Sequence, residues 1–160
     1  MTPVSPTLHG INLASSRPLA DFGRGFYTTT YLDQAKNWAN NRCRNLRNPV
    51  VGIFQLPRRV LATVIRFEVD RDLLARLQTL SFVREGPDYW DLVQHCRQGR
   101  GDHRSTGNYD VVFGPVSLWP QTLVIKDCDQ ISFHTPLGLA ILPTPTMQRQ
   151  ATSQADPFLH

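Results

Sequence analysis

Apolar and polar positions along this chain follow two periods, and the change between them marks the elements. Residues 26–30 read FYTTT behind a glycine-rich bend, DFGRG at 21–25. This β-branched and aromatic run predicts a strand to Thr30 with Phe26 and Tyr27 on opposite faces. Gly23 and Gly25 supply the positive φ or close backbone approach that a sharp entry into it needs. The period then lengthens: Ala35, Trp38, Ala39, Cys43 and Leu46 share one helical face, with Thr30 or Asp33 as cap and Asn48-Pro49 as stop. Residues 50–56 read as a strand closed by Pro57. Residues 62–69 read as another, with Ile65, Phe67 and Val69 on one face and Val64, Arg66 and Glu68 on the other. Asp70 caps a short helix with a core stripe of Leu73, Leu74, Leu77 and Leu80, and Pro87-Asp88 opens a helix through Trp90 and Val93 to Cys96.

Residues 7–9 predict a short edge strand, 11–20 a loop framing a pocket, and 97–108 a basic surface loop. Residues 109–113 read as a buried strand stopped at Gly114-Pro115; 122–126 and 131–133 are the last strands. From Pro143 onward Pro, Thr, Gln and Ser dominate. That predicts one domain over residues 1–142 and a disordered tail over 143–160. Strands and helices interleave without a regular βαβ rhythm, so the fold class expected is mixed, mostly antiparallel α+β.

At 160 residues the chain is long enough for a proper core. It shows no apolar run long enough to span a bilayer and no charged-then-apolar leader. Cys43, Cys96 and Cys128 are scattered, odd in number and without CxxC spacing. They read as reduced thiols, so a cytoplasmic protein is expected, with no membrane partner. The net charge is +4, and fifteen of the seventeen basic residues are Arg. Arginine's planar fork suits phosphate, hence a dinucleotide or a nucleic acid, although a GC-rich coding sequence gives the same skew.

Three familiar chemistries fail. Gly23-Arg24-Gly25 lacks the third glycine and the following helix of a dinucleotide fingerprint. His95, Cys96 and His103 match no common zinc spacing, and a loop with solvent-facing histidine is the preferred account, so no metal is expected. No G-x-S-x-G supports a serine nucleophile. Four motifs remain in order: FGRGFYTT at 22–29, QAKNWA at 34–39, YDVVFGPV at 109–116 and QISFHT at 130–135, with His9-Gly10 ahead of them.

This series resembles a small bacterial family of ADP-ribosyltransferase-like domains, related to diphtheria-toxin-like and poly(ADP-ribose)-polymerase-like transferases. The resemblance implies a split antiparallel β-sheet with flanking helices, and NAD as substrate. It implies that His9 holds a ribose hydroxyl and that the Gly10 backbone pairs with the nicotinamide amide. Gly25, Tyr27 and Thr28 would contact the cofactor, and Tyr27 and Trp38, eleven residues apart, would sandwich nicotinamide. From the residues alone, Tyr27 also reads as a packed strand aromatic and Trp38 as part of the helix's apolar stripe.

Gln130 stands where the better-known enzymes carry a catalytic Glu. Its amide oxygen can accept a ribose hydrogen bond but cannot take a proton. Glu68 and Glu85 lie elsewhere, and Asp127 and Asp129 are shorter, with Asp129 on the opposite face. His9, Tyr27 and Gln130 are therefore the catalytic candidates. The function expected is mono-ADP-ribosyl transfer to a protein or nucleic acid acceptor, in a toxin, effector or defence protein with a possible antitoxin or immunity partner. A degenerate binding module of the same fold and an NAD glycohydrolase are the alternatives. The basic residues Arg97, Arg100, His103 and Arg104, with Arg42, Arg44 and Arg47, form either a nucleic-acid contact or a solvated face.

Overall fold

A computed structural model describes residues 10–47, 61–101, 103 and 107–150. The strands expected at 7–9 and 50–56 lie outside the described residues, and His9 with them. In chain order the elements are β1 (Phe26–Thr28), α1 (Leu32–Arg47), β2 (Thr63–Arg66), α2 (Arg71–Leu74) and β3 (Thr79–Ser81). Then come α3 (Pro87–Arg97), β4 (Val111–Ser117), β5 (Val124–Phe133), α4 (Pro136–Ala140) and β6 (Thr146–Gln150). They fall into two compact units, where a single domain was expected. One takes the chain up to Thr30 and from Glu68 to Thr144; the other takes Tyr31–Phe67 and the segment from Pro145.

The first unit holds a four-stranded sheet in the order β1-β5-β4-β3. β5 runs antiparallel to both its neighbours, whereas β3 is parallel to β4, so the sheet is mixed. Its core gathers around Phe22, which is fully buried with Tyr89, Leu92, Val93 and Cys96 of α3 and Val112 of β4. Those four α3 residues recur at helical spacing, and Pro87 sits at the first turn, where its missing N–H costs nothing. Asp70 caps α2 as expected, its carboxylate accepting from the Asp72 and Leu73 N–H groups.

Several expectations need correction. The strands expected at 122–126 and 131–133 are one strand, β5. It is interrupted where its register against β4 shifts and Asp127 takes φ +53°, a left-handed conformation Asp tolerates. Pro115 does not stop β4. β3 pairs only as far as Phe113, so Pro115 lies beyond the last residue β3 covers, on a flank that needs no ladder donor. Leu80 belongs to β3, not to a helix stripe.

In the second unit β2 pairs antiparallel with β6, a strand inside the stretch expected to be a disordered tail. Of the two faces read for β2, the one with Val64 turns inward: Val64 is buried and Ile65 is 49 % exposed. Val64 packs with Ala62 and with Ala35, Ala39 and Cys43 of α1. Trp38 does not join that stripe, being 52 % exposed. Neither Thr30 nor Asp33 stands just ahead of Leu32: Thr30 bonds Asp129, and Asp33 lies in the first turn. No helix of the described residues is long and apolar enough to cross a membrane.

Candidate functional site

The bend at 21–25 builds the site. Gly23 takes φ +80° and donates to the Ala20 carbonyl, which closes the turn. Gly25 serves the close approach instead: a Cβ there would lie 2.8 Å from the His134 ring and 3.1 Å from the Phe133 carbonyl. The bend thereby delivers Asp21 into the interior, where it is 2 % exposed.

Asp21 is the hub of a buried polar network. Arg97 from α3 donates to Oδ1 through Nε at 2.8 Å and Nη2 at 2.7 Å. The Ser117 hydroxyl donates to the same oxygen at 2.5 Å, and the Ser117 N–H donates to Oδ2 at 2.8 Å. Gln130 Nε2 donates to Oδ2 at 2.7 Å and to the Pro115 carbonyl at 2.8 Å. Several donors on one buried carboxylate hold it rigid. Sequence reading missed Asp21, since nothing local distinguishes it from a turn aspartate.

The network also orients Gln130. Both partners of Nε2 only accept, so a flipped amide would face oxygen to oxygen; the assignment is forced. The amide oxygen is left as the acceptor, and it makes no hydrogen bond among the described residues. Gln130 is 4 % exposed. Tyr27 pairs with Ser132 across β1 and β5, and Gln130, Ser132 and His134 alternate along β5, so all four share one sheet face.

The Tyr27 hydroxyl is engaged in the bend, donating to the Gly23 carbonyl at 2.7 Å and accepting from the Phe22 N–H at 3.0 Å. Its ring packs on the Phe22 cluster. Burial raises its pKa above the ordinary tyrosine value; the Phe22 N–H partly opposes this and the Asp21 carboxylate adds to it. Thr28 faces away, its hydroxyl on the Ile131 carbonyl at 3.1 Å. Asp129 is taken up by β1's end, accepting from Thr29 Oγ1 at 2.7 Å and Thr30 N at 2.9 Å. Gly10 is exposed with φ +79° and open space around its α-carbon. Trp38 belongs to the other unit. Within the first unit the structure brings Tyr27 and Gln130 to the sheet face that also carries His134, against which Gly25 lies.

His103 departs from the solvent-facing reading. It is fully buried, its ring nitrogens 3.1 Å from the Phe22 carbonyl and 3.0 Å from the Tyr109 carbonyl. It stands edge-on to buried His134, with ring centroids 3.9 Å apart. His134 in turn reaches the Arg24 carbonyl and Ser132 Oγ, both at 2.7 Å. With Arg97 paired and His103 buried, the basic loop loses two of its expected contacts.

Beside the network a cavity of about 330 Å³ is lined by Arg17, Pro18, Leu19, Arg97 and Trp119. Arg17 has no partner among the described residues. A groove of about 660 Å³, lined in part by Leu80, Asp88, Asp91 and Tyr109, carries none of the expected site residues. Among the described residues no group of three His, Cys, Asp or Glu is placed to hold a metal.

No curated protein and no solved structure matches the chain. A family model described as a protein of unknown function, DUF3990, matches residues 5–118. That span covers the bend, Arg97 and both ends of the Asp21–Ser117 contact, and more than half of the chain: this protein belongs to the DUF3990 family.

Proposed function

We propose that this protein is an NAD-dependent mono-ADP-ribosyltransferase. The observation that carries the reading is the orientation of Gln130: its amide nitrogen is held by Asp21 and Pro115, leaving the oxygen to accept, on the sheet face it shares with Tyr27. An oriented acceptor suits the 2′-hydroxyl of the nicotinamide ribose, and the ordered motifs from Gly10 to Gln130 supply the rest of the argument. In this chemistry the C1′–N bond to nicotinamide breaks and nicotinamide leaves with the bonding pair. A nucleophile of a protein or nucleic acid acceptor then bonds C1′ and releases its proton to solvent. Gln130 takes no proton, so the acceptor must be nucleophilic already. Arg17, which lines the 330 Å³ cavity, is a candidate for the pyrophosphate.

A specific observation favours a second reading, a binding module without turnover: the Tyr27 hydroxyl is spent in the bend, and Gln130 is almost wholly buried. Purified protein incubated with NAD, with and without cell lysate, separates the readings by nicotinamide release. Transfer requires release that depends on lysate and labels a macromolecule. Release in buffer alone identifies a glycohydrolase. Intact NAD with a raised melting temperature identifies the module, binding at a hundredfold above Kd adding about 2.7 kcal/mol.

A further inference from the structure

The outer strand of the four-stranded sheet carries a feature that the NAD reading leaves unused. β3 has β4 on one side and no strand on the other among the described residues. Bonds at its two ends fix which backbone groups face outward. The Gln78 carbonyl accepts from the Val111 N–H at 3.3 Å, and the Phe82 N–H donates to the Phe113 carbonyl at 2.8 Å. In a parallel pair both backbone groups of a residue point the same way, so Gln78, Leu80 and Phe82 serve β4 while Thr79 and Ser81 turn theirs to the open side. Thr79 and Ser81 are exposed, and so are Gln78, Val83 and Arg84 along the same edge. Edge strands are commonly blunted by charge, proline or a bulge. Residues 78–83 read QTLSFV and β3 pairs without a register shift, so none of these is present.

Leu80 and Phe82 project to the face on which α3 lies, Phe82 meeting the Tyr89 ring edge-on at 5.5 Å. There the 660 Å³ groove opens between β3 and α3, with Leu92 and Tyr109 in its wall. Asp88 and Asp91, one turn apart on α3, line it from the helix side. Both are exposed and have no partner among the described residues. Arg100, past the far end of α3, also lines the groove and forms its opposite pole.

We infer that β3 and this groove dock an extended segment of a partner protein, carrying one basic side chain, which joins the sheet as a further strand. Its backbone pairs with the outward N–H and C=O groups of Thr79 and Ser81. Its alternate side chains then fall on the face shared by Leu80 and Phe82, which is the face the groove opens on. One of these is aliphatic and lies against Leu80 and Leu92. The next is Arg or Lys, its stem along Phe82 and its charge at Asp88 and Asp91. Two unpaired carboxylates at one end of the groove select a cation there, and Arg100 keeps a second one from the other end. The inference goes beyond the NAD reading and stands whether or not that reading does.

Two labelled heptapeptides blocked at both ends, TTLTRTT and its reverse TTRTLTT, test this with the full chain by fluorescence anisotropy. At least one binds, and the tighter of the two reads the direction of the added strand. Replacing its arginine by glutamate weakens binding about tenfold or more, because attraction at two carboxylates becomes repulsion. Asp88→Asn together with Asp91→Asn weakens it roughly three- to tenfold and removes most of its salt dependence, while the fold is kept because both side chains are at the surface. Ser81→Pro removes an outward donor and none that serves β4, and it abolishes binding. Should that variant fail to fold, amide exchange in the wild-type chain gives the same reading: saturation with peptide slows exchange at Thr79 and Ser81 about tenfold or more. No binding of either peptide at millimolar concentration, equal binding of the glutamate peptide, or unchanged exchange at Thr79 and Ser81 overturns the inference. So does a dimer by light scattering that Ser81→Pro dissolves, which makes the edge a contact between copies.

Discussion

At the scale of single residues, the Asp21–Gln130 contact sets what a mutation at the site does. Under the proposed transferase reading a Glu is the residue expected at this place, so Gln130→Glu invites itself as a gain of function. The geometry predicts otherwise, since the new carboxylate replaces a donor 2.7 Å from a buried Asp21 oxygen. Two like charges there raise the new group's pKa above about 4.3. Its contribution to stability is intact below that value and lost as pH rises through the raised one. Gln130→Glu is therefore less stable than wild type at pH 7, and the gap narrows toward pH 5, read as paired melting curves. Asp21→Asn in the same chain removes the like charge but sets an amide N–H against that of Ser117, so the double variant regains only part of the lost stability at pH 7. Tyr27 sets a limit at the alkaline end. Its folded pKa is raised, so stability is present below the unfolded value of about 10 and falls as pH climbs past it. The fall is up to about 1.4 kcal/mol per pH unit for this one group. Melting temperatures from pH 9 to 11 fall less steeply in Tyr27→Phe; equal slopes refute the assignment.

At the scale of elements, the bend matters more than the strand it feeds. β1 has three residues and owes its place to β5, to the Thr29 and Thr30 bonds with Asp129, and to Gly25 lying against His134. Gly25→Ala puts a methyl 2.8 Å from a buried imidazole that has no open space to enter. Overpacking of this kind costs about 1–3 kcal/mol. Urea midpoints report it, and a cost below about 0.5 kcal/mol shows that His134 yields. Local signals read the ends of α3 and the cap of α2 well, because Pro87 and Asp70 act within one turn. They misread β5 as two strands, since a bulge breaks the alternation that marks a strand.

At the scale of the whole molecule, the division into two units changes what the C-terminal segment is for. β6 is β2's partner, so residues 145–160 are not dispensable as their composition suggests. Without β6, β2 loses its one strand partner among the described residues, and a lone strand is unstable. Deleting 145–160 therefore abolishes amide-exchange protection at Thr63–Arg66 while Val111–Ser117 and Val124–Phe133 keep theirs. Unchanged protection at Thr63–Arg66 in the truncated chain shows that β2 does not depend on β6.

The sequence by itself determined the features whose causes lie within a few residues: the glycine bend, the aromatic strand after it, the bodies of α1 and α3, and the order of motifs that singled out Tyr27 and Gln130. Only the tertiary structure decided that Asp21 joins Gln130, Ser117 and Arg97, contacts separated by 109, 96 and 76 residues. It also decided that His103 is buried, that β6 pairs with β2, and which face of β2 turns inward. Periodicity and capping are local energies, legible in a short window. Burial of a polar group is settled by partners that only chain folding brings within hydrogen-bonding distance, so a buried hub and a turn aspartate look alike until the strands are paired.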